Sequence, residues 1–246
     1  MLIFRACDEL GQNCEVRSAG NSLRLYTDGT FHSQFNPTKL IEDNLWDLLW
    51  LPALLQAQAP LRVLVLGVGG GAVMAKLQRI FPTALLVGVD ISALHLHIAK
   101  TIFGVKSKHV LLLEADALAF VKQYRGPAFG LIVDDLFTTN NGEPERVTPL
   151  NQAWLTSLAR RLSDRGQIIT NFGSSKEYRQ AARVVAARGD FTSLCYFSHK
   201  HYENAVGSFS RERVSAQSLS MRTAIEKRLQ NFGGGRVPRQ IHIKSA

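Results

Sequence analysis

The stretch that most constrains this chain is Leu61–Asp90, LRVLVLGVGGGAVMAKLQRIFPTALLVGVD. It opens on an apolar run, Leu61 to Leu66, interrupted only by Arg62, the pattern of a strand covered on both faces of a parallel sheet. Gly67-Val68-Gly69-Gly70-Gly71 follows, and glycines serve where the backbone must turn sharply or lie against a ligand with no Cβ between them. The pattern predicts a helix from about Ala72 to Ile80, closed by Phe81-Pro82, then a second apolar strand, Leu85 to Val89, that ends on Asp90. An acid about 20 residues past such a turn is placed to accept hydrogen bonds from both hydroxyls of a ribose. From Gly67 the turn reads G-V-G-G-G-A, which the G-x-G-x-x-G/A fingerprint also admits. The glycines alone therefore leave a ligand-free tight turn and a nucleotide loop both open.

Upstream, residues 1–36 alternate short strands with the turns Gly11-Gln12-Asn13, Gly20-Asn21 and Asp28-Gly29, a small antiparallel unit. Cys7 and Cys14 read as thiols buried in a strand pair. Asn36-Pro37 opens a predicted helix with Leu40, Ile41, Leu45, Leu48 and Leu49 at helical spacing, kinked or ended by Pro52. Trp46 and Trp50 read as packing residues. Downstream, Ser92 caps a helix to about Phe103. His95 and His97 are two apart on it, so they face apart and read as surface residues rather than a metal pair.

Two more strands end on acids: His109–Glu114 before Asp116-Ala117, and Phe129–Val133 before Asp134-Asp135. The polar stretch Thr138–Thr148 reads as a substrate loop or lid, with Asn140, Asn141 and Glu143 as candidate acceptor contacts. Alternation continues through a strand over Gln167–Phe172, two later strands and a helix over Ser215–Gln230, and a loose tail closes the chain. The expected fold is α/β: a doubly wound, seven-stranded Rossmann-like methyltransferase sheet with a small N-terminal antiparallel β unit. The expected division is residues 1–36 for the β unit, 37–210 for the ligand-binding domain and 211–246 for a basic helix and tail. Gly67–Gly71, Asp90, Asp116 and Asp134 all fall at the carboxyl ends of strands, where such sheets bind ligands. Taken singly, Asp116 also reads as a helix cap and Asp134 as a solvated strand end.

Composition narrows the setting. At 46% apolar residues the 246-residue chain can build a full core, and no apolar run nears the ~20 residues that span a bilayer. MLIFRACDEL lacks the pattern of a secretory signal, and three cysteines without a C-x-x-C pair suggest a reducing, cytoplasmic location with no structural zinc. The net charge is +9. From Arg211 on, eight basic residues face two acidic ones, which leaves nucleic acid, or an RNA-modifying role, as a secondary expectation beside a simple solvated tail.

The order of elements and the acids at the strand tips resemble class I S-adenosylmethionine-dependent methyltransferases. Within them the chain is most similar to spermidine synthases. The likeness is carried by L-x-L-x-x-D-G at Leu23–Gly29, VDIS at Val89–Ser92, EADALAFV at Glu114–Val121 and LIVDD at Leu131–Asp135. It implies that Gly67, Gly69, Gly70 and Gly71 shape the cofactor turn. Asp90 with Ile91 would hold the ribose, Asp116 with Ala117 would face the adenine, and Asp134, also expected at the cofactor, would match the catalytic base; Asp135 beside it is the other acid that could take the proton. It also implies a homodimer.

The departures are equally specific. Gly70 stands where that family's turn carries an acid for the ammonium of decarboxylated S-adenosylmethionine. Phe137 replaces a second acid that helps bind a polyamine, and Phe31 and His32 replace a tyrosine and a glutamine. These changes point to a methyltransferase that uses intact S-adenosylmethionine on a small-molecule acceptor. The alternatives are a polyamine aminopropyltransferase with a divergent amine pocket, and a non-catalytic nucleoside-binding protein.

Overall fold

The computed structural model describes residues 1–8, 11–140, 143–214 and 217–245; of residues 139, 140 and 143 it describes the backbone alone. The chain starts with an antiparallel sheet, β1 (Leu2–Cys7), β2 (Asn13–Ala19), β3 (Ser22–Thr27) and β4 (Thr30–Phe35), paired in chain order. Asp28 and Gly29, both at positive φ, make the two-residue turn from β3 to β4 that such a hairpin favours. Cys14 is buried but Cys7 is exposed. They pair with Ala6 and Asn13 rather than with each other, and all three cysteines are free thiols, so the expected buried pair does not form.

The helix expected from Asn36-Pro37 is instead two short 3-10 turns, Leu45–Leu49 and Leu51–Leu55. The cause is local. Asp47, 1% exposed, accepts from the backbone N–H of Glu42 and Asp43 and from the Trp50 indole, which bends residues 42–47 tightly around one carboxylate. Burial pushes that carboxyl up to about 6. Pro52 lies in the first turn of the second segment, where its missing N–H costs nothing.

The main sheet is built from β5 (Arg62–Leu66), α1 (Ala72–Ile80), β6 (Leu85–Asp90), α2 (Ala93–Thr101), β7 (Val110–Glu114), α3 (Ala117–Gln123) and β8 (Phe129–Asp134). A hairpin of β9 (Phe137–Asn140) and β10 (Glu143–Arg146) follows, where the sequence suggested a substrate loop or lid over Thr138–Thr148. Then come α4 (Gln152–Ala159), β11 (Leu162–Phe172), α5 (Ser175–Arg188), β12 (Ser193–His199), β13 (Ala205–Ser210), α6 (Ser218–Gln230) and β14 (Ile241–Ser245).

Strand order is β14-β12-β13-β11-β8-β5-β6-β7, with β5 to β8 and β11 parallel and the other three antiparallel. The sheet thus has eight strands rather than seven. The supposedly loose tail supplies the eighth, burying Ile241 and Ile243 beside β12. Apolar clusters cover both faces. The chain runs outward from β5 through β6 to β7, then returns to lay β8 on the other side of β5. That reversal opens a crevice beyond the strand tips, the standard ligand position in such sheets. No helix among the described residues is long and apolar enough to cross a membrane.

Candidate cofactor and acceptor cleft

A cavity of about 940 Å³ occupies this crevice, floored by the strand tips and walled by β4, the first 3-10 turn and the β9–β10 hairpin. Gly67, Gly69, Asp90, Ile91, Asp116, Ala117 and Asp135 line it, whereas Gly70, Gly71 and Asp134 do not. Gly67 shows why the turn needs glycine. Its φ is +81°, and a Cβ there would sit 2.2 Å from the carbonyl oxygen of Asp135. At Gly70 a Cβ would meet Phe103 and Ser33, both 2.9 Å away. The wall behind the turn is therefore already packed at the position where the resembling family carries its acid.

Asp90 organises the nucleoside half. Its Oδ2 accepts from the N–H of Val68 at 2.8 Å and Gly69 at 2.9 Å, and its Oδ1 from Ser92 N–H at 2.9 Å. His95 Nδ1 lies 3.7 Å from Oδ1, too far for a hydrogen bond but close enough for charge attraction. That leaves Oδ1 with capacity for a ribose hydroxyl, so the site fits the nucleoside the sequence implies. Burial raises the Asp90 pKa, but His95 and the N–H donors outweigh it and hold the carboxyl below its ordinary range. Burial likewise opposes charge on His95, yet Asp90, with Cys14 contributing less, pushes the imidazole up to about 9. Its Nε2 meets Thr27 Oγ1 at 3.0 Å. His95 is thus a half-buried partner of the sugar-side acid rather than the surface residue expected, while His97 is exposed. His32, with its ring 5.8 Å from that of His95, is driven down to about 4 by burial and then by the neighbouring charge. Asp116 serves as both a cap and a lining residue. It accepts from Leu118 N–H at 2.8 Å to cap α3.

The two adjacent acids after β8 divide between the faces of the sheet. Asp134, fully buried, turns away from the cleft toward α4. Its Oδ2 accepts from Arg146 Nη2 at 2.9 Å and Trp154 Nε1 at 3.2 Å, and its Oδ1 makes no hydrogen bond among the described residues. Arg146 also bonds the carbonyls of Thr148 and Asn171 and lies over the rings of Phe137 and Phe172, pinning the hairpin to the sheet. Asp135 faces the cleft. Its Oδ1 accepts from Asn171 Nδ2 at 2.8 Å, and Asn171 Oδ1 accepts in turn from Asn204 Nδ2 at 3.2 Å. Burial pushes Asp135 up to about 6, against the opposing pull of Asn171 and Arg146.

Phe31, Trp46, Phe137 and Tyr202 line the same cavity. Phe31 meets Trp46 edge-on at 4.9 Å and stacks on Tyr26 at 5.2 Å. Sequence reasoning placed Trp46 in the packing and passed over Asn171, Asn204 and Tyr202, which reach the cleft only through sheet pairing. Of the loop candidates, Asn141 lies outside the described residues, as do the side chains of Asn140 and Glu143. No group of His, Cys, Asp and Glu suited to a metal occurs among the described residues.

Order of strands, glycine turn and tip carboxylates together give the chain a Rossmann-like methyltransferase fold, and within it the chain resembles spermidine synthases. No protein-family model matches the chain. In sequence it is 31% identical over 143 residues to polyamine aminopropyltransferase 2 of Caldanaerobacter subterraneus subsp. tengcongensis, a match covering 56% of this chain and 45% of the relative. The matched stretch thus spans less than half of that protein. In structure it superposes on a probable spermidine synthase from Corynebacterium glutamicum with a TM-score of 0.75 at 16% identity, over 98% of this chain and 90% of that one. Human methyltransferase-like protein 13, in complex with SAH, gives 0.59 at 20% identity over 78% and 90%.

Proposed function

We propose that this chain is an aminopropyltransferase that joins the aminopropyl group of decarboxylated S-adenosylmethionine to an amine. This reverses the order in which the sequence ranked methyl and aminopropyl transfer. The observation that carries it is the charge of the cleft. Asp8, Asp90, Glu114, Asp116 and Asp135 line it, with no Lys or Arg among the described lining residues, in a chain of net charge +9. The one strongly basic imidazole, His95, is matched by Asp90. Such a cleft favours a doubly cationic cofactor and a cationic acceptor, and offers no side-chain cation to a carboxylate tail. The earlier argument from Gly70 also weakens, because that position abuts Phe103 and Ser33 rather than the cavity. The name of the sequence relative points the same way.

When bound, the cofactor supplies an alkyl carbon activated by a sulfonium. Asp90 Oδ1 holds the ribose, and Asp116 and Ala117 meet the adenine. Gly67 and Gly69 let the backbone approach, while Gly70 and Gly71 keep the turn in shape. Asp135, with a pKa near 6, is ionised at neutral pH yet basic enough to take the ammonium proton. Asp134 holds Arg146 and hence the hairpin.

Titration calorimetry with intact and decarboxylated S-adenosylmethionine, followed by mass spectrometry of products with amines, tests this. Tighter binding of the decarboxylated form and a mass gain of one aminopropyl group are expected. Preference for the intact form with methyl transfer sinks it. That second reading has one observation in its favour, the apolar Phe137 where the family's amine-binding acid stands. A homodimer and a cytoplasmic location complete the proposal, the first checked by light scattering.

A further inference from the structure

We propose that the acceptor is a monoamine with a flat apolar body, an arylalkylamine, rather than an α,ω-diamine. The inference rests on the aminopropyl reading above and concerns the half of the cleft beyond β8 and β11. Asp135 is the only carboxylate that the described residues place there. Asp90, Glu114 and Asp116 stand at the tips of β6 and β7, on the far side of β5, and Asp8 follows β1, the strand of the small sheet farthest from β4. Beside Asp135 the polar groups are neutral amides, Asn171 and Asn204, each already donating one hydrogen bond along the relay to that acid. A diamine brings a second ammonium, which needs a second acceptor of charge once it leaves water. Here it meets rings and alkyl groups instead.

Those rings form a surface suited to a flat group. Phe31 is 37% exposed, one of the few large apolar side chains left open, and its exposed part lines the cavity beside Trp46. Phe137 also lines the cavity, with the Arg146 guanidinium 5.7 Å from its centroid. Arg24 covers part of Phe31 from outside the cavity, at 5.8 Å. Both rings therefore already serve a cation on one side and offer an aromatic ring edge-on or offset contact within the cleft. One ammonium at Asp135 and one ring between Phe31, Trp46 and Phe137 satisfies every group on this side.

In the reaction, the bound ammonium gives its proton to Asp135. The freed nitrogen pair attacks the alkyl carbon on the sulfonium, and the C–S bond breaks with its electrons staying on sulfur. A neutral thioether leaves, the nitrogen keeps the aminopropyl group and the positive charge as a secondary ammonium, and Asp135 releases its proton to water.

The test compares 2-phenylethylamine with putrescine, using full-length protein and decarboxylated S-adenosylmethionine, with products weighed by mass spectrometry. A kcat/KM at least about tenfold higher for 2-phenylethylamine is expected. Phe31→Leu keeps an apolar side chain but removes the π face, and it should move that ratio toward one. A ratio at or below one in the native chain, or no turnover of either amine while calorimetry shows the sulfonium bound, overturns the inference but leaves cofactor binding standing. Absence of sulfonium binding overturns the aminopropyl reading itself and the inference with it. A ratio unchanged by Phe31→Leu, in a protein whose thermal melt matches the native one, also overturns it.

Discussion

Asp90 and Asp135 stand at strand tips on either side of β5, on β6 and just past β8, and the cleft treats them in opposite ways. Asp90 is gripped by three backbone N–H groups and faces an imidazolium, so its negative charge is stabilised and its pKa falls. Asp135 has one side-chain amide for company and is otherwise desolvated, so its pKa rises to about 6. One carboxylate is a fixed anion that shapes a loop; the other is set to exchange a proton. The same residue type at equivalent places in the sheet thus acquires two roles, decided by how many donors the local backbone provides.

Removing the exchangeable proton site is the most severe way to break this contrast. Asp135→Asn should lower kcat for group transfer by about 10²–10⁴-fold, read in single-turnover experiments, with the sulfonium dissociation constant changed only a few-fold. In the native chain kcat/KM should fall on the acid side as Asp135 protonates through about pH 6. Undiminished turnover in the Asn variant would falsify its assignment as base.

The pair Asp134–Arg146 sharpens the contrast from the other face, because that carboxylate is held in a buried ion pair outside the cleft. Arg146→Met should destabilise the fold by about 3–5 kcal/mol, since it strands a buried charge. The double variant Arg146→Met with Asp134→Leu should recover much of that loss in urea unfolding. Equal stability of the single and double variants would show that the pair is dispensable.

Smaller effects follow from the imidazole opposite Asp90. The folded pKa of His95, about 9, lies above its ordinary 6.5. The stabilisation is therefore full below pH 6.5 and is lost as pH rises through 9. Unfolding free energy should drop on the order of 1–3 kcal/mol across that window, a slope that His95→Gln should remove. Asp90 behaves in the converse sense. Its pKa is depressed, so its stabilisation is lost as pH falls through the folded value. The mildest probe is Thr27→Val, which deletes the 3.0 Å contact to His95 Nε2 and should cost about 1 kcal/mol while shifting the alkaline slope to lower pH.

Much of this was legible in the chain itself. Apolar runs followed by glycine or acid marked β5, β6, β7 and β8 and put the crevice at their tips. What stayed hidden depended on register and on distant partners. Which of Asp134 and Asp135 faces the cleft follows from the two-residue alternation of β8, where Ile132 and Asp134 share the face that α4 covers. The acids look alike until Trp154 and Arg146 are known to wait on one side. His95 read as a surface residue because its spacing ruled out a metal pair, yet its role comes from Asp90, five residues earlier, and Thr27, far away in sequence. The tail strand β14 was illegible because its glycine-rich approach reads as a loose end, while its partner β12 supplies the pairing. The 3-10 turns betray themselves only through the buried Asp47.

The hold of Arg146 on Asp134 also bears on traffic. Because that arginine closes the β9–β10 hairpin, any outward swing of the hairpin would drag the guanidinium off an anion that has no other cation in hydrogen-bonding reach among the described residues. That toll makes the hairpin a doorpost rather than a door.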